Sequence, residues 1–388
     1  MESEALTSTK ITMLDFLRKL VKPKYEAMNI VEIKADNILA NFSYLKSLKP
    51  KAEIIPVLKS NAYGHGLKEI CQIINRSQAK IIAVDSYPEA QIAYHYFKGK
   101  VLILGEMPLD VYAYCKLKRT EFVVYRQETL KELARYGKRA KIHLFFNSGM
   151  NREGIDDLAG FIENNFEDLN KIDLVGFCSH LASADEPDSL LTEQQETAFL
   201  KALELLKEKG FNPKHIHLGN SAGIFSLHSS VYTAFRPGLA FYGYSPFAQK
   251  NLPELKPALE IKSTILKISD LETGKSVSYN ESYIAKQKTK IALIPFGYFE
   301  GLDRRLSNQA YFEILNEEKN IFVKIAGNVC MNLSCLDLEN NDFKEGLRVR
   351  IISSNQGERN SLKNISRLGG GIYETLIRIQ ANIRREIL

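Results

Sequence analysis

Lys59 is the residue whose type and position best suit chemistry. It follows a run, Glu53–Leu58, that is typical of a buried β-strand, and the segment Asn61–Gly66 after it is rich in turn-forming residues. A lysine at the end of a strand usually extends its ammonium group into solvent. A desolvated amine, however, loses its proton more easily and can form a Schiff base with a carbonyl compound. Lys59 is therefore either an ordinary surface lysine or a Schiff-base lysine.

Polar or glycine-rich segments also follow other apolar runs in the first part of the chain. When parallel strands close into a barrel, their carboxyl ends meet at one mouth, where the chemistry of such barrels is found. Each of these residues alone has a structural explanation, such as a core histidine, a surface ion pair or a turn glycine. Together they predict a site that includes Lys59 with Tyr63, Asn147 with Arg152, His180, Asn220 with Ser221, and Arg236 with Gly238.

The segment around Ser221 suggests a phosphate site. Ser221 is flanked by Gly219 and Gly223, and barrels often bind phosphate with backbone N–H groups in the loops after their last two strands. A cofactor that carries both an aldehyde and a phosphate would suit Lys59 and Ser221 together. Pyridoxal 5′-phosphate has both groups, so we predict that it is the cofactor.

The elements that must position these residues form a regular alternation between Asn29 and about Ser230. Short runs rich in β-branched residues alternate with segments of helical spacing, such as Ala35–Leu48, Leu67–Asn75, Pro88–Phe97 and Leu191–Glu208. Eight such periods favour an α/β fold of the (β/α)8 TIM-like barrel type over an open doubly wound sheet. The eight predicted strands are Ile30–Ile33, Glu53–Leu58, Lys80–Val84, Val101–Leu104, Glu121–Tyr125, Lys141–Phe146, Leu174–Ser179 and His215–Leu218.

After about Pro253 the pattern changes to strands with few helices between them, which predicts a β-rich second domain. We therefore divide the chain into an N-terminal extension (residues 1–28) with one short helix, a cofactor-binding barrel (29–253) and a C-terminal β-rich domain (254–388). The predicted strands of the second domain are Ala258–Ile268, Thr289–Ile294, Ala310–Leu315, Ile321–Ile325 and Leu347–Ile352, and a terminal helix is predicted at Ile372–Leu388.

Composition narrows the class of protein. The 388 residues carry a formal net charge of +6 without a block of like charges, so we expect no nucleic-acid partner. No apolar run reaches membrane-spanning length, so we expect no membrane partner either. Five scattered cysteines without a CxxC pair predict neither disulfides nor a metal site, and they fit the reducing cytoplasm.

The chain resembles the alanine racemase family of pyridoxal-phosphate enzymes (fold type III), and it looks like a divergent member. The lysine segment VLKSNAYGHG is similar to the family's V-K-A-N-A-Y-G-H-G, and the resemblance extends from about Ile30 to Arg384. Further segments occur in the family's order and spacing: SGMNREG, GFCSHLASAD, HLGNSAG, RPGLAFYG, VSY, IPFGYFEG, RLSN, AGNVCM and IYE.

The resemblance implies a two-base racemase that interconverts L- and D-alanine, as in the supply of D-alanine for peptidoglycan. Lys59 would form the Schiff base and handle the α-proton of the D-isomer, and Tyr279 would handle that of the L-isomer. Tyrosine ordinarily has a pKa of about 10, so Tyr279 would need help from His180 and Arg236. In the family this tyrosine comes from the neighbouring subunit, which implies a head-to-tail homodimer.

The resemblance also assigns the binding residues. Arg236 would face the pyridine nitrogen, Arg152 would contact the cofactor's phenolic oxygen and the substrate carboxylate, and Met331 would offer its backbone N–H to that carboxylate. Tyr298, Arg304 and Asp185 would line the substrate entrance. The phosphate would be held by Tyr63, Ser221, Tyr373 and the backbone N–H groups of Gly238 and Leu239, beside Asn220.

Several positions depart from the family pattern. Phe145 stands where many members carry a carbamylated lysine that orients the arginine corresponding to Arg152, so Arg152 needs another partner, for which Asn147 is a candidate. Asn328 and Asn332 also replace charged residues near the entrance. These changes leave open a racemase for another small amino acid such as serine. A pyridoxal-phosphate-binding barrel protein or a decarboxylase without racemase activity is the remaining alternative, although a decarboxylase would place a carboxylate where Arg236 stands.

Overall fold

The structure is a computed structural model that describes residues 26–186, 189–248, 252–339 and 341–388. The short helix predicted in the N-terminal extension lies outside these residues. The described strands are β1 (Ile30–Ile33), β2 (Glu53–Ile54), β3 (Ile81–Val84), β4 (Lys100–Ile103), β5 (Thr120–Val124), β6 (Lys141–Phe145), β7 (Asp173–Cys178), β8 (His215–His217), β9 (Ala234–Phe235), β10 (Leu259–Thr264), β11 (Lys267–Leu271), β12 (Ser276–Val277), β13 (Tyr283–Ile284), β14 (Thr289–Ile294), β15 (Tyr311–Ile314), β16 (Ile321–Ile325), β17 (Ser334–Asp337), β18 (Arg348–Ile352) and β19 (Arg384–Ile387).

The α-helices that surround or connect these strands are amphipathic where they pack on a sheet. In Leu67–Ile74, for example, Leu67, Ile70, Cys71 and Ile74 are all buried on one face, which is the spacing of a helix against a core. The described helices are α1 (Ala35–Leu48), α2 (Leu67–Ile74), α3 (Tyr87–Tyr96), α4 (Gln127–Ala134), α5 (Leu158–Asn164), α6 (Phe166–Lys171), α7 (Leu190–Glu208), α8 (Gly223–Ser226), α9 (Leu362–Leu368) and α10 (Ile372–Ile377).

Strands β2 to β9 close into a ring of parallel strands. Strands β3 to β8 form one sheet in sequence order, and β2 pairs with β9. The ring closes on one side through the bridge between Val57 and Ala83. On the other side, β8 and β9 are joined by the hydrogen bond from Thr233 N–H to the Ile216 carbonyl at 3.0 Å. The predicted (β/α)8 barrel is therefore confirmed.

The prediction that Ile30–Ile33 opens the barrel is wrong. This strand pairs antiparallel with β10 and parallel with β19, and both partners belong to the second sheet. The eighth barrel strand is instead β9 (Ala234–Phe235), which lies directly before Arg236. Apolar periodicity could not make this distinction, because it identifies strands but not their partners.

A nine-stranded sheet makes the second part of the fold β-rich, as predicted. Its order is β11-β14-β17-β16-β15-β18-β10-β1-β19. Three details differ from the predictions. The single strand predicted at Ala258–Ile268 is divided into β10 and β11, and the predicted terminal helix ends at Ile377 and is followed by strand β19. Strand β17 was not predicted.

The barrel strands carry mostly apolar side chains on both faces, because helices cover the outside while the lumen is filled by side chains. All four residues of β3 are buried. The lumen nevertheless holds polar groups, since Glu121, His143 and His217 are all fully buried. In the part of the chain that the structure describes, no helix is long and apolar enough to cross a lipid bilayer.

Candidate active site

A cavity of about 700 Å³ lies at the carboxyl ends of the barrel strands. Its volume falls in the range of small-molecule sites. It brings together every residue that the sequence assigned to cofactor binding: Lys59, Tyr63, Arg152, His180, Asn220, Ser221, Arg236, Gly238, Leu239 and Tyr373. Tyr373 belongs to the C-terminal part of the chain, so the barrel alone does not complete this wall.

Lys59 enters the cavity from an unusual turn. Ser60, Asn61, Ala62 and Tyr63 all have positive φ angles between 51° and 55°, so these four residues form one turn of left-handed helix. Such a conformation costs roughly 1–2 kcal/mol per residue for L-amino acids. The turn brings Lys59 and Tyr63, at its two ends, to the same cavity.

Neighbouring residues stabilise this left-handed turn. The Asn61 side chain accepts a hydrogen bond from the Leu67 backbone at 2.9 Å and so caps helix α2. The carboxylate of Glu89 accepts from the backbone N–H groups of Asn61 and Asp85, at 3.3 and 2.8 Å. Arg385 donates to the Gly64 carbonyl at 2.8 Å. The turn is therefore held from the barrel side and from strand β19.

The amine of Lys59 is not dry in this structure. Its side chain is 39% exposed, and Nζ lies 3.2 Å from Oδ1 of Asp85. Asp85 was not singled out from the sequence. As the carboxylate nearest to Lys59, it gives the free amine a partner.

Arg236 is buried and held by four acceptors. Its Nη1 donates to the His217 carbonyl at 2.9 Å and to His217 Nδ1, and its Nη2 donates to the Ser179 carbonyl at 2.6 Å and to His180 Nδ1 at 3.3 Å. These contacts account for the four Nη hydrogens. No described residue accepts from Nε, so the Nε–H is the donor that Arg236 retains for a ligand in the cavity.

His180 is neutral in this environment. Burial, together with the positive charges of Arg236, Arg152 and Lys59, lowers its pKa to about 3. Because Nδ1 accepts from Arg236, the proton of the neutral ring must be on Nε2. Gln195 fixes the segment, since it donates to the His180 carbonyl at 2.9 Å and accepts from the Ala182 backbone at 2.8 Å.

The predicted phosphate end contains hydroxyl donors, but not every predicted N–H group is free. Ser221 Oγ accepts from the backbone N–H groups of Gly238 and Ala240, at 3.0 and 3.1 Å, so the Ser221 O–H is available to an anion. The Leu239 N–H has no acceptor among the described residues. Asn220 uses its side-chain oxygen on the backbone of Ala222 and Gly223, which makes its role here structural.

Tyr63 and Tyr373 form the aromatic side of this end, with ring centroids 6.1 Å apart. Burial raises the pKa of both phenols, so both are protonated donors. Gly238 packs closely against this pair. A Cβ at that position would lie 2.4 Å from the Tyr63 hydroxyl, so the close approach of Tyr63 to this backbone requires glycine.

Arg152 has a different partner from the one predicted. Its guanidinium contacts Oε1 of Glu153, at 2.6 Å from Nη2 and 3.2 Å from Nε. Asn147 instead donates to Asn151 and Asp156. Phe145 lines the cavity and packs edge-on against Tyr125. The candidate Asn147 contact is therefore wrong, and Glu153 is the residue that sequence reasoning missed.

Tyr279, Met331 and Tyr298 do not line the cavity of this chain. They lie on the second domain and are 67%, 56% and 44% exposed. Asn328 links two of the surrounding segments, since its side chain donates to the Tyr279 carbonyl at 2.9 Å.

The family model described as "Alanine racemase, N-terminal domain" matches residues 33–246, and "Alanine racemase, C-terminal domain" matches residues 258–387. An alanine racemase 2 from Caldanaerobacter subterraneus subsp. tengcongensis is 32% identical, over 87% of this chain and 88% of the relative. An alanine racemase from Borreliella burgdorferi is 32% identical, over 92% of this chain and 96% of the relative.

Solved structures give the same result. An alanine racemase from Bacillus anthracis with bound L-Ala-P superposes with a TM-score of 0.84 at 28% identity, covering 94% of this chain and 96% of that one. One from Clostridium difficile superposes with a TM-score of 0.85 at 27% identity, covering 94% and 97%. The chain belongs to the alanine racemase family.

Proposed function

We propose that this protein interconverts L- and D-alanine with pyridoxal 5′-phosphate as its cofactor. The observation that carries the proposal is the convergence of an amine, a buried guanidinium with one free N–H and a group of hydroxyl donors in one cavity of a member of this family. When bound, pyridoxal 5′-phosphate supplies an aldehyde for amines and a ring that withdraws electrons from the α-carbon of an amino acid.

The residues of the cavity fit this cofactor. The hydroxyls of Tyr63, Ser221 and Tyr373 can donate to a phosphate, and the glycine at position 238 allows the Tyr63 hydroxyl to lie close to the backbone there. Lys59 is the amine that would hold the aldehyde. The Nε–H of Arg236 suits a ring nitrogen that carries a lone pair, since a guanidinium has only donors.

Arg236 favours racemisation over other reactions of the same cofactor. A guanidinium next to the ring nitrogen keeps that nitrogen unprotonated, which weakens the withdrawal of electrons from the α-carbon. With the cofactor bound, this would favour the prompt return of a proton to the α-carbon and would disfavour decarboxylation and transamination. A carboxylate at this position would have the opposite effect.

Two bases on opposite faces of the substrate explain how the configuration is inverted. We assign Lys59 to the D-isomer and Tyr279 to the L-isomer. Because Tyr279 is exposed and outside the cavity of its own chain, we propose a head-to-tail homodimer in which it reaches the partner's cavity. The Nε2–H of His180 would then stabilise the deprotonated phenol.

The remaining assignments concern the substrate. We propose that Arg152 binds the amino-acid carboxylate, with the Met331 backbone N–H and Tyr298 contributed by the second copy. The position of Glu153 beside Arg152 means that the substrate carboxylate must compete with, or displace, this carboxylate.

The domain boundaries at residues 28 and 253 and a cytoplasmic location stay predictions.

The proposal is tested by a chiral product assay on the purified protein with added pyridoxal 5′-phosphate. We expect L- and D-alanine to interconvert, with L-serine converted less efficiently. Lys59→Ala should abolish conversion, while Lys290→Ala, which removes an exposed lysine paired with Asp342, should not. If no small amino acid is isomerised, or if Lys59→Ala stays active, the proposal is wrong.

A further inference from the structure

A buried chain of hydrogen bonds runs through the barrel lumen from Arg236. His217 accepts from Arg236 through Nδ1, and its Nε2 lies 2.7 Å from His143 Nδ1. His143 Nε2 lies 2.9 Å from Oε2 of Glu121, and Lys100 donates to Oε1 of the same carboxylate at 2.8 Å. The chain thus crosses strands β9, β8, β6, β5 and β4. Of these residues, only Arg236 has a role in the proposed racemisation.

The two ends of the chain determine where every proton lies. Burial alone would raise the pKa of Glu121, but the hydrogen bonds from His143 and Lys100 and the positive charge of Lys100 lower it, so the carboxylate is ionised and only accepts. Arg236 can only donate. His143 must therefore donate from Nε2 to Glu121 and accept at Nδ1, and His217 must donate from Nε2 to His143 and accept at Nδ1.

No other placement of the protons on His143 and His217 satisfies all of these hydrogen bonds. If His217 carried a proton on Nδ1, that N–H would face an N–H of Arg236. If His143 were doubly protonated, its Nδ1–H would require an acceptor at His217 Nε2, which would move the His217 proton to the Arg236 side. Burial and the charge of Arg236 also lower the pKa of His217, in agreement with a neutral ring.

We propose that Glu121 and His143 are positioning residues that act through His217 to hold the Arg236 guanidinium with its Nε–H towards the bound cofactor. This inference rests on the proposed function, because it assumes that the cofactor's ring nitrogen faces Arg236. Neither Glu121 nor His143 lines the cavity, so neither is a catalytic residue.

The free-energy cost of burying these hydrogen-bonded residues supports a functional role for them. Burying a carboxylate and two imidazoles in a barrel lumen carries a large desolvation penalty, and apolar side chains of similar volume often give equal or greater stability. The lumen is tight as well, since a Cβ at Gly176 would lie 1.9 Å from His143 Nδ1. The stability of the fold does not require polar residues in the barrel lumen. Holding the Arg236 guanidinium in one orientation does require them.

The first test needs no variant. In the full chain labelled with ¹⁵N-histidine, without cofactor, we expect the NMR signals of His143 and His217 to be those of neutral rings protonated on Nε2 alone. A ring protonated on Nδ1, or an imidazolium, at either position would overturn the inference. This test is independent of racemase activity, so it remains valid if the proposed function fails.

The second test compares Glu121→Gln with Glu313→Gln. Glu313 is a matched control because it is also a buried carboxylate with a cationic partner, Arg350 at 2.6 Å, but it lies in the second sheet. Glutamine has the size of glutamate but can turn its NH₂ group towards His143. The direction in which each histidine donates its hydrogen bond is then no longer fixed. A small displacement of a group at the reacting centre can cost about 10²-fold in rate.

In the protein loaded with pyridoxal 5′-phosphate, Glu121→Gln should lower kcat about tenfold or more with KM within about twofold, and it should change the visible absorbance of the bound cofactor. Glu313→Gln should alter neither. If the two variants have the same kcat and the same absorbance, the inference is wrong. If Glu121→Gln does not fold, the ¹⁵N experiment on the unaltered chain decides.

Discussion

Lys59, Arg236 and Tyr279 have different relations to the cavity. Lys59 enters it from the left-handed turn and is paired with Asp85. Arg236 is fixed by three neighbours and retains one N–H. Tyr279 is absent from the cavity of its own chain, so its role depends on a second copy. These differences decide which substitutions distinguish the roles.

Tyr279→Phe should lower kcat/KM for alanine by about 10²–10⁴-fold, the usual contribution of a positioned acid–base group. The loss must be equal in both directions, since a catalyst cannot change the equilibrium between enantiomers. The two faces differ in hydrogen exchange instead. In D₂O, D-alanine should still exchange its α-proton through Lys59, while L-alanine should not, and NMR measures both rates.

Tyr311→Phe is the control for this experiment, because Tyr311 is a tyrosine of the second sheet that packs under Arg359 through its ring. This variant should keep full activity. If L-alanine exchanges as fast as D-alanine in Tyr279→Phe, then Tyr279 is not the base for the L-isomer.

The sequence predicted the residues that end the barrel strands better than those inside the barrel. Residues such as His180 and Ser221 were found because the carboxyl ends of parallel strands meet at one mouth. Glu121 and His143 were missed because they lie within apolar runs that were read only as strands. A glutamate at an inward position of the run Thr120–Val124 was the available signal, since a buried carboxylate needs partners.

At the level of secondary structure, the left-handed turn Ser60–Tyr63 connects the strand that precedes Lys59 with helix α2. Its conformation could not be predicted from sequence, since Ser, Asn, Ala and Tyr rarely adopt it consecutively. The same limit applies to strand β1. Its apolar pattern is local, but its pairing with β10 and β19 is set by contacts more than 200 residues away along the chain.

Gly64→Ala should destabilise the protein strongly. Gly64 has a φ of +77°, and a Cβ there would lie 2.0 Å from the Leu376 carbonyl oxygen. Relief of this contact would separate the left-handed turn from helix α10, which carries Tyr373 of the cavity wall. We expect a loss of about 2–4 kcal/mol in the free energy of unfolding, measured by urea denaturation.

Gly274→Ala provides the comparison. Gly274 has a similar φ of +80°, but a Cβ there meets nothing within 4 Å. This variant carries only the backbone penalty of about 1 kcal/mol. Equal losses for the two variants would show that the contact between the turn and α10 does not contribute to stability.

Across the protein, several buried histidines should make stability depend on pH. Burial lowers the pKa of His65 to about 4, against the hydrogen bonds from the backbone. In the unfolded chain its pKa is about 6.5. Between these two pH values, His65 binds a proton in the unfolded chain but not in the folded chain. The contribution of His65 to the free energy of unfolding is therefore complete above pH 6.5 and decreases as the pH is lowered towards 4.

We therefore expect the free energy of unfolding to fall by about 1.4 kcal/mol per pH unit for each such histidine between pH 6.5 and 4. His65→Asn should remove the share of one histidine, about 1.4 kcal/mol per pH unit, from this slope. Urea denaturation between pH 7 and pH 5 measures the change. His228→Asn, at an exposed position, should keep the slope of the unaltered protein. An unchanged slope in His65→Asn would contradict the assignment.

Shared active sites between two subunits are tested most directly by complementation. Lys59→Ala and Tyr279→Phe should each be inactive alone. When the two chains are produced together, a mixed dimer has one site with both substitutions and one site with none. With random pairing, half of the dimers are mixed, so about a quarter of the normal activity should return. If the mixture stays as inactive as either variant alone, Lys59 and Tyr279 do not meet across a subunit interface.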